Sequence, residues 1–209
     1  MLKLLRSSKL LTHYIWGIKI DSTLHETFWD LTTLVLRKEI FTIKKKRKYL
    51  DMGCGQFAIL GQFYKMNNVD SEVISVDIYN KFVNNSIKNS LLNNNFIKVK
   101  KSNLFSNINK KFDLISFNPP YVPFSNLKQE KIKYKHIRYS SSNGTQVAEN
   151  FLKGAKKYLT TNGEILLGMN TFYVSEKKCK KIIKLQKFKI KKITRMKFNT
   201  SVVFKIKPI

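Results

Sequence analysis

Apolar and polar positions along the chain alternate in short blocks whose period switches between two, the strand value, and about 3.6, the helix value. Blocks of strand length occur at Tyr49-Leu50-Asp51, Glu72 to Asp77, Phe96 to Lys100, Phe112 to Phe117 and Ile165 to Met169. Between them the spacing predicts a helix from Glu26 to Ile40 on the domain's edge, with Phe28, Leu31, Leu34, Val35 and Ile40 mostly at helical spacing, and a second from Phe57 to Met66, stopped by Asn67-Asn68. A third helix is predicted from Tyr79 to Leu92 with Phe82, Val83, Ile87 and Leu91 inward. A fourth covers about Thr145 to Leu159, stopped by Thr161-Asn162-Gly163, and a fifth covers Val174 to Leu185. The tail, with Phe188, Ile190 and Ile193 and then Val202, Val203, Phe204 and Ile206, predicts two closing strands that turn near Lys197 to Thr200. Strands alternating with helices predict an α/β fold, a mainly parallel sheet of seven strands with helices on both faces. The segment Val122 to Gly144 has no period and is too long for a plain connector. We expect residues 1–44 to form an N-terminal extension with a helix leading into the domain, and 45–209 to form the domain itself.

Composition refines this picture. A chain of 209 residues suits one domain, and 43% hydrophobic content argues for a packed core despite a formal charge of +27. Of the 40 basic residues only five are arginine. Lysines spread over nearly the whole chain, so a compositional bias explains the charge as well as a polyanionic partner does, and contact with RNA or the ribosome stays open. Cys54 and Cys179 stand alone, which argues against a disulfide framework or a zinc site, and no metal is expected. No apolar run reaches the length of a membrane span, so the expected location is the cytoplasm, with a basic N-terminal transit peptide as the alternative.

Candidate chemistry gathers at strand ends. Asp51, Asp77, Asn103 and Asn118 each fall at or just past the end of a predicted strand, where the ligand crevice of an open α/β sheet lies. Gly53 and Gly55 form a turn that lets backbone approach a cofactor. Asp77 is placed to accept hydrogen bonds from two ribose hydroxyls, or to cap the following helix. Phe57 occupies the place of the third glycine of a dinucleotide fingerprint, which favours a nucleoside without a pyrophosphate.

The stretches Asp51-Met52-Gly53-Cys54-Gly55, Asp77, Ser102-Asn103-Leu104-Phe105 and above all Phe117-Asn118-Pro119-Pro120-Tyr121-Val122 resemble the class I S-adenosylmethionine-dependent methyltransferases. Within them the chain resembles most the HemK-type protein-glutamine methyltransferases, which modify translation release factors. His25-Glu26-Thr27-Phe28 resembles the segment that this family places before the cofactor loop, and Asn143-Gly144-Thr145 its link into the next helix. The resemblance implies a Rossmann-like sheet with a C-terminal antiparallel strand and S-adenosylmethionine as cofactor, held by Thr27, Asp51, Gly53, Gly55, Asp77, Asn103 and Asn118. It implies catalysis by Asn118, Pro119, Pro120 and Tyr121 on a planar nitrogen, such as a glutamine side-chain amide of a release factor. The Asn118 oxygen and the Pro119 carbonyl would accept the two hydrogens of that nitrogen, the prolines would fix the turn, and Tyr121 would stack on the flat group.

Adenine-N6 methyltransferases share the motif, so methylation of RNA or DNA is an alternative, and a non-catalytic RNA-associated protein is a third. Two positions depart from the family pattern: Phe57 replaces a small loop residue, narrowing the donor pocket, and Asn103 replaces an acid that contacts adenine. No counterpart of the helical N-terminal domain of the bacterial release-factor enzymes is expected, so the resemblance favours the shorter relatives.

Overall fold

The structure is a computed structural model and describes residues 5–21, 28–43, 48–126 and 139–209. Seven strands form one sheet: β1 (Lys48–Met52), β2 (Glu72–Asp77), β3 (Lys98–Lys101), β4 (Phe112–Phe117), β5 (Leu159–Asn170), β6 (Phe188–Arg195) and β7 (Ser201–Pro208). Their spatial order is β3-β2-β1-β4-β5-β7-β6. The first five run parallel, whereas β7 pairs antiparallel with both β5 and β6. The expected sheet with a C-terminal antiparallel strand is the one observed. Strand order reverses between β1 and β4, so the crevice of this sheet opens past Met52 and Phe117, which are paired neighbours.

Six helices are named here: α1 (Lys9–Trp16), α2 (Leu31–Thr42), α3 (Ile59–Asn67), α4 (Asn80–Leu92), α5 (Gln146–Ala155) and α6 (Glu176–Leu185). They divide the core in two. On one face Phe105, Phe151, Leu152, Ile182 and Ile183 cover alternate residues of the central strands, including Leu50, Ile115, Leu167 and Phe204. On the other, Trp16, Trp29, Leu36, Ile40, Phe63 and Tyr64 cover Tyr49, Leu114, Leu166 and Val203. The central strands are buried on both sides, which explains why they read as continuous apolar runs rather than alternating ones.

Several expected boundaries shift, each for a local reason. Helix α2 starts at Leu31 because Asp30 caps it: the carboxylate accepts from Thr33 N at 2.7 Å and the Thr33 side chain returns to the Asp30 backbone. Asp30 itself is extended, residues 28–30 lie outside the helix, and the part of the predicted helix at 26–27 lies outside the described residues. Helix α3 starts at Ile59, after Ala58 takes a left-handed φ of 42°. Strand β3 begins two residues late, leaving Phe96 exposed, because this edge strand is placed by backbone pairing and not by an apolar face. Helix α5 ends at Ala155 and tightens into a 3₁₀ turn, Lys156–Tyr158. Thr161-Asn162-Gly163 does not stop that helix; it bulges out of the start of β5, where a side chain at Gly163 would meet the Phe112 carbonyl at 2.8 Å.

Helix α4 is the clearest correction. Phe82 and Val83 are buried as expected, but Ile87 and Leu91 face solvent, and Ser86, Asn89 and Ser90 are buried instead. Backbone groups on neighbouring segments dictate this. Ser86 Oγ donates to Gly55 O at 3.0 Å and Asn89 Oδ1 accepts from Asp21 N at 3.2 Å. A buried peptide group left without a partner costs more than an exposed isoleucine.

Candidate active site

Two clusters sit at the carboxyl ends of the parallel strands. The first is the turn after β1. Gly53 and Gly55 adopt φ of 64° and 67°, values that favour glycine, and a Cβ at Gly53 would come 2.9 Å from the Phe117 ring. A Cβ at Gly55 would meet no atom within 4 Å, so at that position the loop faces open space. Asp77, at the end of β2, holds the loop. Its Oδ2 accepts from Gly55 N at 2.9 Å, while Oδ1 accepts from Tyr79 N at 3.0 Å. Burial raises the Asp77 carboxyl above its usual range, with the backbone donors opposing the shift. The N-cap position of α4 falls at Tyr79, so Asp77 is not the cap of that helix.

Asp51 lies beneath this loop, nearly inaccessible. Its Oδ2 accepts from Gly61 N at 3.1 Å, and Ser116 Oγ lies 3.4 Å from Oδ1, itself 2.5 Å from the Tyr49 hydroxyl. Gly61 is in the first turn of α3, whose N-cap Ala58 offers no side-chain acceptor, so Asp51 caps the helix from the sheet. Burial pushes its carboxyl up to about 7. Phe57 does not crowd the loop: its ring is buried in the second core, edge-on to Phe28 at 5.2 Å. Asn103 follows β3 with an exposed side chain, in a turn closed by Ser106 and by a left-handed Leu104. Thr27 lies outside the described residues.

The second cluster follows β4. Asn118 Nδ2 donates to both oxygens of Asp30, at 3.1 and 3.2 Å, and Tyr121 OH donates to Asp30 Oδ2 at 3.1 Å. Thr32 Oγ1 lies 3.1 Å from the same hydroxyl and donates to Ser201 Oγ at 3.0 Å, tying the cluster to β7. Asn118 Oδ1 is buried and has no hydrogen-bond partner. Pro119 is buried, Pro120 is half-buried and carries the chain on to Tyr121, and the Tyr121 ring stacks on Tyr173 at 6.1 Å. Gly144, with φ of 73°, permits this turn, since a Cβ there would sit 2.4 Å from the Tyr121 carbonyl. Burial, and next the nearby Asp30 charge, hold the Tyr121 hydroxyl well above its ordinary value.

Asp30, Thr32 and Tyr173 are site residues that the sequence did not single out. For Asp30 a signal existed, an acid directly before a helical apolar period, but it announced only a helix start.

A family model described as the methyltransferase small domain matches residues 26–195. The chain belongs to the methyltransferase small domain family. A Methanocaldococcus jannaschii protein carrying the name protein N5-glutamine methyltransferase is 29% identical over 187 residues, covering 88% of this chain and 91% of the relative. A release factor glutamine methyltransferase of Buchnera aphidicola is 27% identical over 145 residues, and a bifunctional methyltransferase of Rickettsia typhi 33% identical over 161. The matched segments cover 65% and 72% of this chain, but only 51% and 30% of those two longer relatives. Among solved structures, a methyltransferase from Pyrococcus furiosus superposes with a TM-score of 0.71 at 20% identity, covering 98% of this chain and 95% of that one. It shares the fold.

As a methyltransferase small domain protein of this fold, the chain is an S-adenosylmethionine-dependent methyltransferase. The residues present fit that donor. Open space above Gly55 leaves room for a nucleoside against the backbone, and the Asp77 carboxylate, which accepts from the backbone of Gly55, Ile78 and Tyr79, keeps acceptor capacity for a ribose hydroxyl. Among the described residues no helix is long and apolar enough to cross a membrane, and no group of three or more His, Cys, Asp or Glu is placed to hold a metal.

Proposed function

We propose that the protein methylates a planar nitrogen, the side-chain amide of a glutamine in a protein substrate such as a translation release factor. One observation carries this reading. Asn118 presents a buried carbonyl oxygen with no partner, while its amino group is engaged by both Asp30 oxygens and, at 3.5 Å, by Thr33 Oγ1. A buried acceptor left open is costly unless something else fills it, and an N–H of the substrate amide does so.

S-adenosylmethionine, when bound, supplies a methyl group on a positively charged sulfur, so the protein's own task is to prepare the nitrogen. An amide nitrogen is a poor nucleophile because its lone pair is delocalised into the carbonyl. Asn118 Oδ1 accepts one of its hydrogens, and the Pro119 carbonyl, aimed by two successive prolines, accepts the other. With both hydrogens held, the lone pair turns toward the methyl donor; the N–C bond would form as the donor's S–C bond breaks to a neutral thioether, and one of the two held hydrogens would leave the nitrogen as a proton passed on to solvent. Tyr121, fixed by Asp30 at its hydroxyl and by Tyr173 on its ring, limits the plane in which the substrate enters. Positioning and preorganised acceptors then lower the barrier. Gly53, Gly55 and Asp77 hold the nucleoside of the donor; Asp51 holds the turn from below, Asn103 offers an amide to the adenine edge, and Thr27 completes the set.

The names of the archaeal and bacterial relatives support glutamine. An exocyclic amine of adenine would meet the same two acceptors, and the basic surface would suit RNA. Incubating the purified protein with cell extract and methyl-labelled donor, followed by separate protease and nuclease digestion, decides between them. Label released by protease and retained after nuclease is the expected result, and the reverse would transfer the activity to nucleic acid.

A further inference from the structure

The carboxylate of Asp30 does more than begin a helix. Its Oδ1 accepts from Thr33 N and Thr33 Oγ1, both at 2.7 Å, which is the work of an N-cap. The same group also receives Asn118 Nδ2 and the Tyr121 hydroxyl, from a loop some ninety residues away in sequence. We propose that Asp30 is a positioning residue for methyl transfer, setting the direction in which the Asn118 amide faces and holding Tyr121 in line with it. The inference rests on the function proposed above.

A primary amide fits a site of this size in two orientations, with oxygen and nitrogen exchanged. Only one of them is useful here, because a substrate N–H needs the oxygen. A carboxylate accepts and does not donate, so Asp30 can pair with Nδ2 alone; the flipped amide would bring Oδ1 within about 3 Å of a negative oxygen and turn a donor toward the substrate. The negative charge beside Nδ2 also polarises the amide, which strengthens Oδ1 as an acceptor. The N-terminus of α2 is a favourable place for that charge, so the cap keeps the carboxylate fixed while the carboxylate fixes the amide.

The test separates the cap from the brace. In Asp30→Ser the hydroxyl still accepts from the Thr33 backbone but is too short to reach Asn118. The variant should stay folded, with a melting temperature lowered only modestly because the cap survives while the Asn118 and Tyr121 donors lose an acceptor, and it should keep the wild-type affinity for S-adenosylmethionine in calorimetry. Its kcat should fall about 10- to 100-fold with KM little changed, as expected when the acceptor that meets the substrate nitrogen in the transition state is no longer held in direction. Asp30→Asn, which retains one acceptor oxygen for two tasks, should fall in between. In ¹⁵N-labelled protein the Asn118 side-chain NH₂ should exchange slowly with solvent in the wild type and faster in Asp30→Ser.

Folded variants with wild-type kcat, or freely exchanging Asn118 amide protons in the wild type, overturn the role of Asp30 while leaving the proposed function in place. Absence of transfer by the wild type on both protein and nucleic acid overturns the proposed function itself, and this role with it. Should Asp30→Ser unfold, wild-type kcat in Asp30→Asn would overturn the role by itself.

Discussion

Gly168 and Asn118 meet at the last parallel strand pair: a methyl group built on Gly168 would stand 3.5 Å from Asn118 Oδ1 and 2.7 Å from the Thr32 methyl. Leu36 lies on the same side, 3.2 Å away. The missing side chain on β5 is what lets the first turn of α2 approach the sheet and Asn118 reach Asp30. Gly168→Ala should therefore lift this turn, costing about 1–3 kcal/mol of stability as overpacking does. Thermal unfolding reads the first effect and methyl transfer the second, with activity expected to fall more than donor affinity.

Asn118→Ala removes the open acceptor and leaves Asp30 with one partner fewer. Loss of one preorganised acceptor predicts a kcat lower by about 10²–10³-fold, comparable to removal of a single oxyanion-hole group. Affinity for S-adenosylmethionine, measured by calorimetry, should stay within a few-fold of the wild type. Undiminished transfer would remove Asn118 from the reaction.

Much of this geometry was visible in the sequence and part of it could not be. The strands were legible because central parallel strands are apolar throughout and end in polar residues, as at Asp77 and Asn118. The glycine turn was legible because only glycine takes its backbone angles at low cost. Asp30 was not, since its hydrogen bonds to Asn118 and Tyr121 exist only once β4 and α2 lie side by side. Nor was the inward face of α4, where periodicity favoured Ile87 and Leu91 but unpaired peptide groups at Gly55 and Asp21 claimed Ser86 and Asn89. Asp51 was read as a donor ligand from its place before the glycines. That it also caps α3 follows from Ala58 being unable to, a lack that matters only when the helix start is known.

The buried Asp51 predicts a pH dependence of stability. Burial raises its carboxyl from an ordinary 3.8 to about 7 in the folded protein. Between those values the folded state keeps a proton that the unfolded chain has lost, so stability falls as pH rises through this range and levels off above it. The slope from this one group is at most about 1.4 kcal/mol per pH unit. Asp51→Asn keeps an oxygen for the Gly61 N–H and does not titrate. Its melting temperature should change less than the wild type's between about pH 5 and 8; equal slopes in the two proteins would assign the effect elsewhere, with Asp77, shifted in the same direction, as the next group to replace.

Asp77→Ala takes the acceptor from Gly55 N and from Tyr79 N together. The loop should loosen, and the contact to the donor's ribose proposed for Asp77 should go with it. A loss of at least tenfold in S-adenosylmethionine affinity is expected, read by calorimetry on folded variant. Unchanged affinity would leave Asp77 as a support for the loop alone.

The antiparallel position of β7 has a consequence for the order of folding. A ribosome releases the chain from its N-terminus, so β5 emerges with one edge bare and stays so until Ser201–Pro208 follow and slide in between β5 and β6. Thr32, which touches Tyr121, finds Ser201 only at that moment. The loop after β4 is thus made early, at Asn118, and locked late, once β7 has taken its place.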